Sequence, residues 1–279
     1  MRSMYDELLA AAVAAAQAGG EVLRHRFGDS ELDVRAKSEN DFVTLADRES
    51  EEAVLDCLGD RFPEHRVLSE EAGYRGGDAS EFEWIVDPLD GTTNFLQGLP
   101  TYAVSIACRK GDRMLVAAIL APERGDLFTA SNGGGAQLNG RAISVSGREG
   151  LKGAFLATGY PFKAKAALDL YLDIFRDVFL EARAIRRCGA AALDLAYTAA
   201  GIFDGFFEFR LSAWDVAAGS LLIEEAGGVV TDLDGGRDFL RTGNLLAGTR
   251  GVQAALVDVL GQHASEADLD SLVERPAVG

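Results

Sequence analysis

A layered α/β sandwich, with an α+β first half and an alternating α/β second half, is the fold class predicted by this 279-residue sequence. Three observations predict it. Amphipathic helical patterns open the chain, short β-type runs separated by turn residues occupy Tyr102 to Ala130, and strand and helix patterns alternate after Gly150. Each apolar face so produced needs a partner layer, and helices sandwiching sheets satisfy that need.

The first helix is expected from about Met4 to Phe27, with Leu8, Leu9, Val13 and Ala16 at helical spacing and Gly28 as terminator. A second, from about Leu45 to Leu58, carries Leu45, Val54, Leu55 and Leu58 on its apolar side. Asp47 falls in its first turn, where complementing the helix dipole is a sufficient role. Ile85 and Val86 read as the end of a buried strand that Pro88 stops, and Gly91 permits the tight turn that follows. Ala103–Ala107, Met114–Leu120 and Leu127–Thr129 read as an antiparallel meander. Gly133 to Gly135 has neither a G-K-[ST] sequence nor a helix after it, so it is read as structural rather than phosphate-binding, and Asn139-Gly140 as a hairpin turn.

Beyond Gly150 the pattern predicts a strand over 153–158, a helix over 165–182, a strand over 184–186, a helix over 190–200 and a strand over 205–209. A helix over 216–226 and strands near Val229 and over 245–247 follow. A soft boundary near Gly147 to Gly150 divides an N-terminal half, 1–148, from a C-terminal half, 149–262, with the site formed across it. The polar stretch 263–279 is expected to be a frayed tail.

The composition, 48% hydrophobic, is sufficient for a sizeable core. A formal net charge of −17 opposes attraction to nucleic acid or an anionic membrane surface, so neither is expected as a partner. The same charge would repel a phosphorylated substrate unless bound cations invert the local field. A saline habitat is an alternative origin of the acidity. Cys57, Cys108 and Cys188 are widely spaced and suggest neither a disulfide framework nor a zinc site, which fits a reducing cytoplasm. No signal-peptide layout or membrane-length apolar run is read in the chain.

Chemistry concentrates in Trp84-Ile-Val-Asp87-Pro-Leu-Asp90-Gly-Thr-Thr-Asn94. Asp87 and Asp90 flank one corner and can converge on a hard cation, with the Leu89 carbonyl between them. If a short helix starts there, the amides of Gly91 and Thr92 favour an anion. An Asx-type turn with solvated acids is the other reading, and the pattern alone leaves both open. Val67-Leu-Ser69-Glu70-Glu71 is a second apolar segment running into acids, and Trp214-Asp215-Val-Ala-Ala-Gly219 places an acid at a helix start, where a capping role competes. If Glu70, Asp87, Asp90 and Asp215 meet, the pocket stays ionised only with cations in it.

This ordered set, together with Asp41-Phe-Val-Thr-Leu-Ala-Asp47, Ile185-Arg-Arg-Cys-Gly-Ala-Ala-Ala-Leu-Asp-Leu-Ala-Tyr197 and Glu224-Glu-Ala-Gly-Gly228, resembles the inositol monophosphatase family of magnesium-dependent, lithium-sensitive phosphomonoesterases. The resemblance runs over nearly the whole chain and implies an αβαβα sugar-phosphatase fold. It implies two to three Mg²⁺ ions: Glu70, Asp87 and the Leu89 carbonyl hold one, Asp87, Asp90 and Asp215 a second, and a weaker third lies near Glu70. It further implies catalysis through Glu70 and through Thr92 polarised by Asp47, and substrate contacts at Gly91, Thr92, Gly189, Ala190, Ala191, Glu208 and Asp215. Ala190 stands where many relatives carry Ser or Thr, which removes a hydroxyl from that pocket. Glu208 corresponds to a position that accepts from polyol hydroxyls; a solvated strand residue is its alternative.

The expected function is hydrolysis of inositol 1-phosphate or a related sugar or polyol phosphate by a homodimer. Fructose-1,6-bisphosphatase, histidinol-phosphatase and 3′-phosphoadenosine-5′-phosphate phosphatase are rivals within the fold, and a regulatory protein binding the transcription or translation machinery is a rival outside it. Lys37 is read as a solvated loop residue or a charge near the site, Arg186 and Arg187 as surface or dimer-face residues with contact to an anion or a partner subunit as the alternative, and His25, His65 and His263 as surface or capping residues.

Overall fold

The computed structural model describes residues 3–29, 35–38, 41–77, 80–162 and 165–264, with the backbone alone at 35–38, 41 and 42. The side chain of Lys37 and nearly all of the predicted tail lie outside the described residues.

Helix α1 (Met4–Arg26) is started by a capping box in which Ser3 and Asp6 exchange hydrogen bonds of 2.9 and 3.2 Å. A short antiparallel pair, β1 (Arg35–Ser38) and β2 (Asp41–Val43), leads to α2 (Leu45–Gly59). Gly19 lets α1 approach α2 closely, since a Cβ there would lie 2.7 Å from Ser50 Oγ and 2.8 Å from a Val54 methyl. Next come β3 (Arg66–Ser69), β4 (Gly73–Gly76), β5 (Phe82–Asp90) and the single turn α3 (Thr92–Leu96). The meander β6 (Ala103–Lys110), β7 (Arg113–Ala121) and β8 (Asp126–Ser131) forms as its alternation predicts, followed by the hairpin β9 (Gly135–Leu138) and β10 (Arg141–Ile143). Asn139 (φ 50°) and Gly140 (φ 76°) make that hairpin turn. The sheet has eight strands in the order β10-β9-β8-β7-β6-β5-β3-β4, all antiparallel except β3 beside β5.

The second half contributes β11 (Phe155–Thr158), α4 (Leu168–Glu181), β12 (Ala184–Arg186), α5 (Ala191–Ala199), β13 (Gly205–Glu208) and α6 (Ala213–Glu225). It ends with β14 (Val229–Thr231), α7 (Phe239–Thr242), β15 (Leu245–Gly248) and α8 (Arg250–His263). The second sheet is ordered β12-β11-β13-β15-β14.

Alternation along the strands decides the layering. On β6, Val104, Ile106 and Cys108 face the cluster built on α1 and α2, while Ala103 and Ala107 face the cluster built on α5 and α6. On β13, Phe206 joins the same middle cluster and Phe207 turns to a third, containing Tyr171 and Ile174 of α4 and Leu256 of α8. The result is five layers: α1 and α2, the eight-stranded sheet, α5 and α6, the second sheet, then α4 and α8. Small alanines on both faces of the middle layer let two sheets share one pair of helices.

Three expectations are corrected. Pro88 does not end its strand: β5 pairs with β6 through Asp87–Ser105 and again through Asp90–Ala103, and the three-residue step against a two-residue step on β6 is a bulge that carries Pro88 outside the ladder. Residues 250–263, of which the sequence reading assigns 250–262 no element and puts His263 in the tail, form α8 under a Thr249 cap, and His263 bonds Asp177 at 2.7 Å instead of fraying. Residues 165–167 form a 3₁₀ turn, so α4 starts at Leu168.

Candidate active site

The bulge and the turn after it build the corner. Gly91 takes φ 92° as the residue before α3, a left-handed conformation that the reversal from strand to helix requires. Asp87, Asp90 and Asp215 then converge: each offers a carboxylate oxygen within 4.8 Å of the other two. Asp87 and Asp90 are buried. Burial first, then the neighbouring charges of Glu70, Asp90 and Asp215, raise the Asp87 carboxyl well above the ordinary range. Asp90 is raised in the same direction by burial and by Asp215. Oxygen donors of like charge, held together out of water, are a donor set that a divalent cation fits.

Asp215 is the third residue of α6, where its carboxylate accepts from the N–H of Ser212 at 2.6 Å. The cap and the cluster are therefore two uses of one side chain, and Ser212, not Asp215, is the capping residue. Glu70 lies outside the three-carboxylate group but near enough to raise Asp87, and its N–H donates to Val86 O at 3.2 Å. The Leu89 carbonyl accepts from Thr92 Oγ1 at 3.2 Å.

Helix α2 holds this corner from behind. Asp47, 1% exposed, divides its carboxylate: Oδ2 accepts from Thr44 N and Oγ1 at 2.8 and 2.6 Å, and Oδ1 accepts from Thr92 Oγ1 at 3.1 Å. One hydroxyl proton serves either Asp47 or Leu89, which leaves the Thr92 lone pairs to accept from a water. Ser50 donates to Pro88 O at 2.8 Å, and Glu51 takes the Ser69 hydroxyl at 2.5 Å and the amides of Glu71 and Ala72 at 3.2 and 2.9 Å. Ser50 and Glu51 escape sequence reasoning; their spacing from Asp47, three and four residues on one helical face, is the signal that could have found them.

Across the halves, Asp90 accepts from the amides of Ala191 and Ala192 at 3.2 and 2.8 Å. It thereby caps α5, whose own first flanking residue, Ala190, has no side-chain oxygen to do so. Gly189, Ala190 and Ala191 do line the corner: a Cβ on Gly91 would lie 3.3 Å from Ala190 Cβ and 3.4 Å from Gly189 O. Buried Asn94 ties the same segment down, donating to Thr101 O at 2.7 Å and Cys188 O at 2.9 Å. Glu208 ends β13 with its carboxyl against Gly159, and burial pushes that carboxyl up to about 8 although Arg187 pulls the other way. Asp194, on α5, is raised to about 7 by burial.

One residue departs from expectation. His65 is buried between the rings of Phe62 and Phe82, at 4.6 and 4.7 Å, and burial lowers its pKa, so it is a stacked core residue rather than a surface or capping one. Arg187 is exposed, as its surface reading predicts, and sits beside Gly189, where it acts electrostatically on Glu208 and Asp194.

The chain matches known proteins along its length. The model of the inositol monophosphatase family matches residues 4–265. A protein of Escherichia coli named Nus factor SuhB is 44% identical over 264 residues, spanning 95% of this chain and 99% of that one. The crystal structure of extragenic suppressor protein suhB from Bartonella henselae superposes with a TM-score of 0.89 at 41% identity, covering 92% of this chain and 99% of the other. The inositol monophosphatase from Anabaena superposes with a TM-score of 0.82 at 35% identity, covering 93% and 97%. With its five layers and its convergent aspartates, the chain belongs to the inositol monophosphatase family.

Proposed function

We propose that this protein is a Mg²⁺-dependent phosphomonoesterase that hydrolyses inositol 1-phosphate or a related sugar or polyol phosphate. The observation that carries the reading is the convergence of Asp87, Asp90 and Asp215 within 4.8 Å, beside Glu70 and the first turn of α3. Asp87, Asp90, Asp215, Glu70 and the Leu89 carbonyl would hold the two to three ions that the family resemblance implies. Bound Mg²⁺ supplies an acidified water and neutralises phosphate charge.

The protein's own groups do the positioning. Thr92, held by Asp47 and Leu89, accepts from the attacking water and fixes its direction toward phosphorus. The free amides of the first α3 turn receive a phosphate oxygen. Gly189, Ala190 and Ala191 wall the pocket, and Glu208 accepts from substrate hydroxyls.

A panel of phosphate esters assayed with Mg²⁺ tests the reading. Release from inositol 1-phosphate is expected, and Glu208→Ala is expected to lower its kcat/KM by roughly tenfold more than that of an aryl phosphate, since substrate hydroxyls that lose a buried partner cost about 1–3 kcal/mol. Equal losses on the two esters would remove the polyol assignment.

The name Nus factor, carried by relatives at 44% identity, favours a second reading in which the chain also acts as a regulatory protein of the transcription machinery. On that reading the expectation that nucleic acid is not a partner, drawn from net charge, is not retained. Homodimer formation, lithium sensitivity and a cytoplasmic location belong to the proposal; among the described residues no helix is long and apolar enough to cross a membrane.

A further inference from the structure

No partner side chain fixes the Glu208 carboxyl: among the described residues it makes no hydrogen bond and no ion pair. Packing against backbone sets its position instead. The carboxyl fills the space a side chain at position 159 would need, since a Cβ on Gly159 would collide with Glu208 Cδ and with both its oxygens. Where the carboxyl stands therefore follows from the relative placement of two chain ends, Gly159 just after β11 and Glu208 at the close of β13.

Two hydroxyls in series tie those ends together. Parallel pairing of β11 with β13 puts Thr158 beside Phe207, one residue before each end. Thr158 Oγ1 donates to Phe207 O at 2.8 Å, the nearer of two carbonyls, with Gly159 O at 3.3 Å. A hydroxyl has one proton, so toward Tyr171 Oη, 3.1 Å away, Thr158 accepts and the phenol donates. Burial agrees with that direction, raising the phenol to about 12 so that it keeps its proton. Thr158 and Tyr171 are both buried, which shuts out water as a competing partner.

The ring of Tyr171 adds a second hold. Phe207 and Phe209, the neighbours of Glu208 on either side, both turn to the α4 cluster, and strand alternation sends Glu208 the other way, with Phe206. Tyr171 lies against both phenylalanines, its centroid 6.1 Å from Phe207 at 30° and 6.0 Å from Phe209 at 87°. One side chain of α4 thus supports both flanks of Glu208 and, through Thr158, the strand beside it. Phenylalanine would supply the same packing; a buried hydroxyl in this apolar cluster costs stability unless its bond is made, and the bond it makes leads to Glu208.

We propose that Tyr171, acting through Thr158, is a positioning residue that sets where the Glu208 carboxyl stands in the pocket and so how strongly a polyol ester is preferred; this rests on the polyol reading of Glu208 above. Neither hydroxyl touches substrate. Their effect is to hold the ends of β11 and β13 in one register, so that the acceptor meets substrate hydroxyls without first being ordered by them.

The test measures, with Mg²⁺, the ratio of kcat/KM for inositol 1-phosphate to that for an aryl phosphate in wild type, Tyr171→Phe, Thr158→Val and Thr158→Ser, each with and without Glu208→Ala. Alongside it, carbon NMR follows the Glu208 carboxyl titration in the metal-free proteins, assigned by its loss in Glu208→Ala. Tyr171→Phe and Thr158→Val are expected to lower the ratio by roughly threefold, mainly through a raised KM for the polyol ester, the size of one neutral hydrogen bond. Both should also bring the carboxyl titration down from about 8, as the group loses its buried seat. Thr158→Ser keeps the donor and should keep both values, and in the Glu208→Ala background the hydroxyl changes should leave the ratio alone. A ratio unmoved by Tyr171→Phe and Thr158→Val, or one that falls equally without Glu208, would overturn the proposal. If wild type has no Glu208-dependent ratio, the polyol reading fails, and the titration decides for Tyr171: a shift in the Phe and Val variants but not in Thr158→Ser upholds its positioning role, and no shift ends it.

Discussion

Asp90 does two things with one carboxylate: it belongs to the aspartate cluster and it caps α5 through Ala191 and Ala192. Replacing it should therefore cost stability that replacing Asp87 does not. In the Asp90→Ala background, Ala190→Ser should recover ~0.5–1 kcal/mol, because a serine hydroxyl can then accept from a freed amide, and it should gain less in wild type, where those amides are occupied. Urea unfolding of the four proteins checks this; equal gains in both backgrounds would mean that Asp90 is not the cap. Glu208 gives a pH signature. Its carboxyl is raised from the ordinary 4.5 to about 8, so in the metal-free protein its contribution to stability is complete below about pH 4.5 and is lost as pH rises through about 8. Unfolding of metal-free protein followed from about pH 6 to 9 should show falling stability that Glu208→Gln flattens. An unchanged slope in the variant would assign the fall to other groups.

At the scale of the element, α2 is the support of the site. Asp47, Ser50 and Glu51 lie on one face and reach Thr92, the Pro88 carbonyl and the 69–72 turn respectively. Glu51→Ala should leave the turn amides without a partner, at ~1–3 kcal/mol, and raise the Mg²⁺ concentration needed for half-maximal activity by roughly tenfold through the loosened Glu70. Metal titration of the variant reads that shift directly, and an unchanged midpoint would detach Glu51 from the site. Much of this scale was legible in the sequence. The β6–β8 meander, the Asn139-Gly140 turn and α5 and α6 followed from alternation, turn chemistry and helical spacing. Pro88 misled because a proline reads as a strand end unless a bulge is foreseen, and bulges leave no local signature. Helix α8 was missed because its glycines, Gly251 and Gly261, weaken a pattern that tertiary packing of Val252, Leu256 and Leu260 restores. Asp90 as a cap was illegible because it acts across more than ninety residues of chain, and only the fold brings it to the start of α5.

Over the whole molecule, the two sheets share α5 and α6 as a common layer, and the aspartate cluster is drawn from both halves, Asp87 and Asp90 from β5 and Asp215 from α6. Cation binding is then also a clamp between halves. At about 100 times its dissociation constant, Mg²⁺ should stabilise the fold by ~2.7 kcal/mol, visible as a higher Tm, and Asp87→Asn should abolish most of that gain while relieving repulsion in the metal-free protein. A Tm indifferent to Mg²⁺ in wild type would argue against a site spanning the halves. The central claim is that chemistry requires the metal held by these aspartates, and phosphate release from inositol 1-phosphate after exhaustive chelation tests it most directly. The account predicts no release until Mg²⁺ is restored, with Asp87→Asn inactive by ~100-fold or more at any Mg²⁺ concentration; full turnover in metal-free buffer would contradict it.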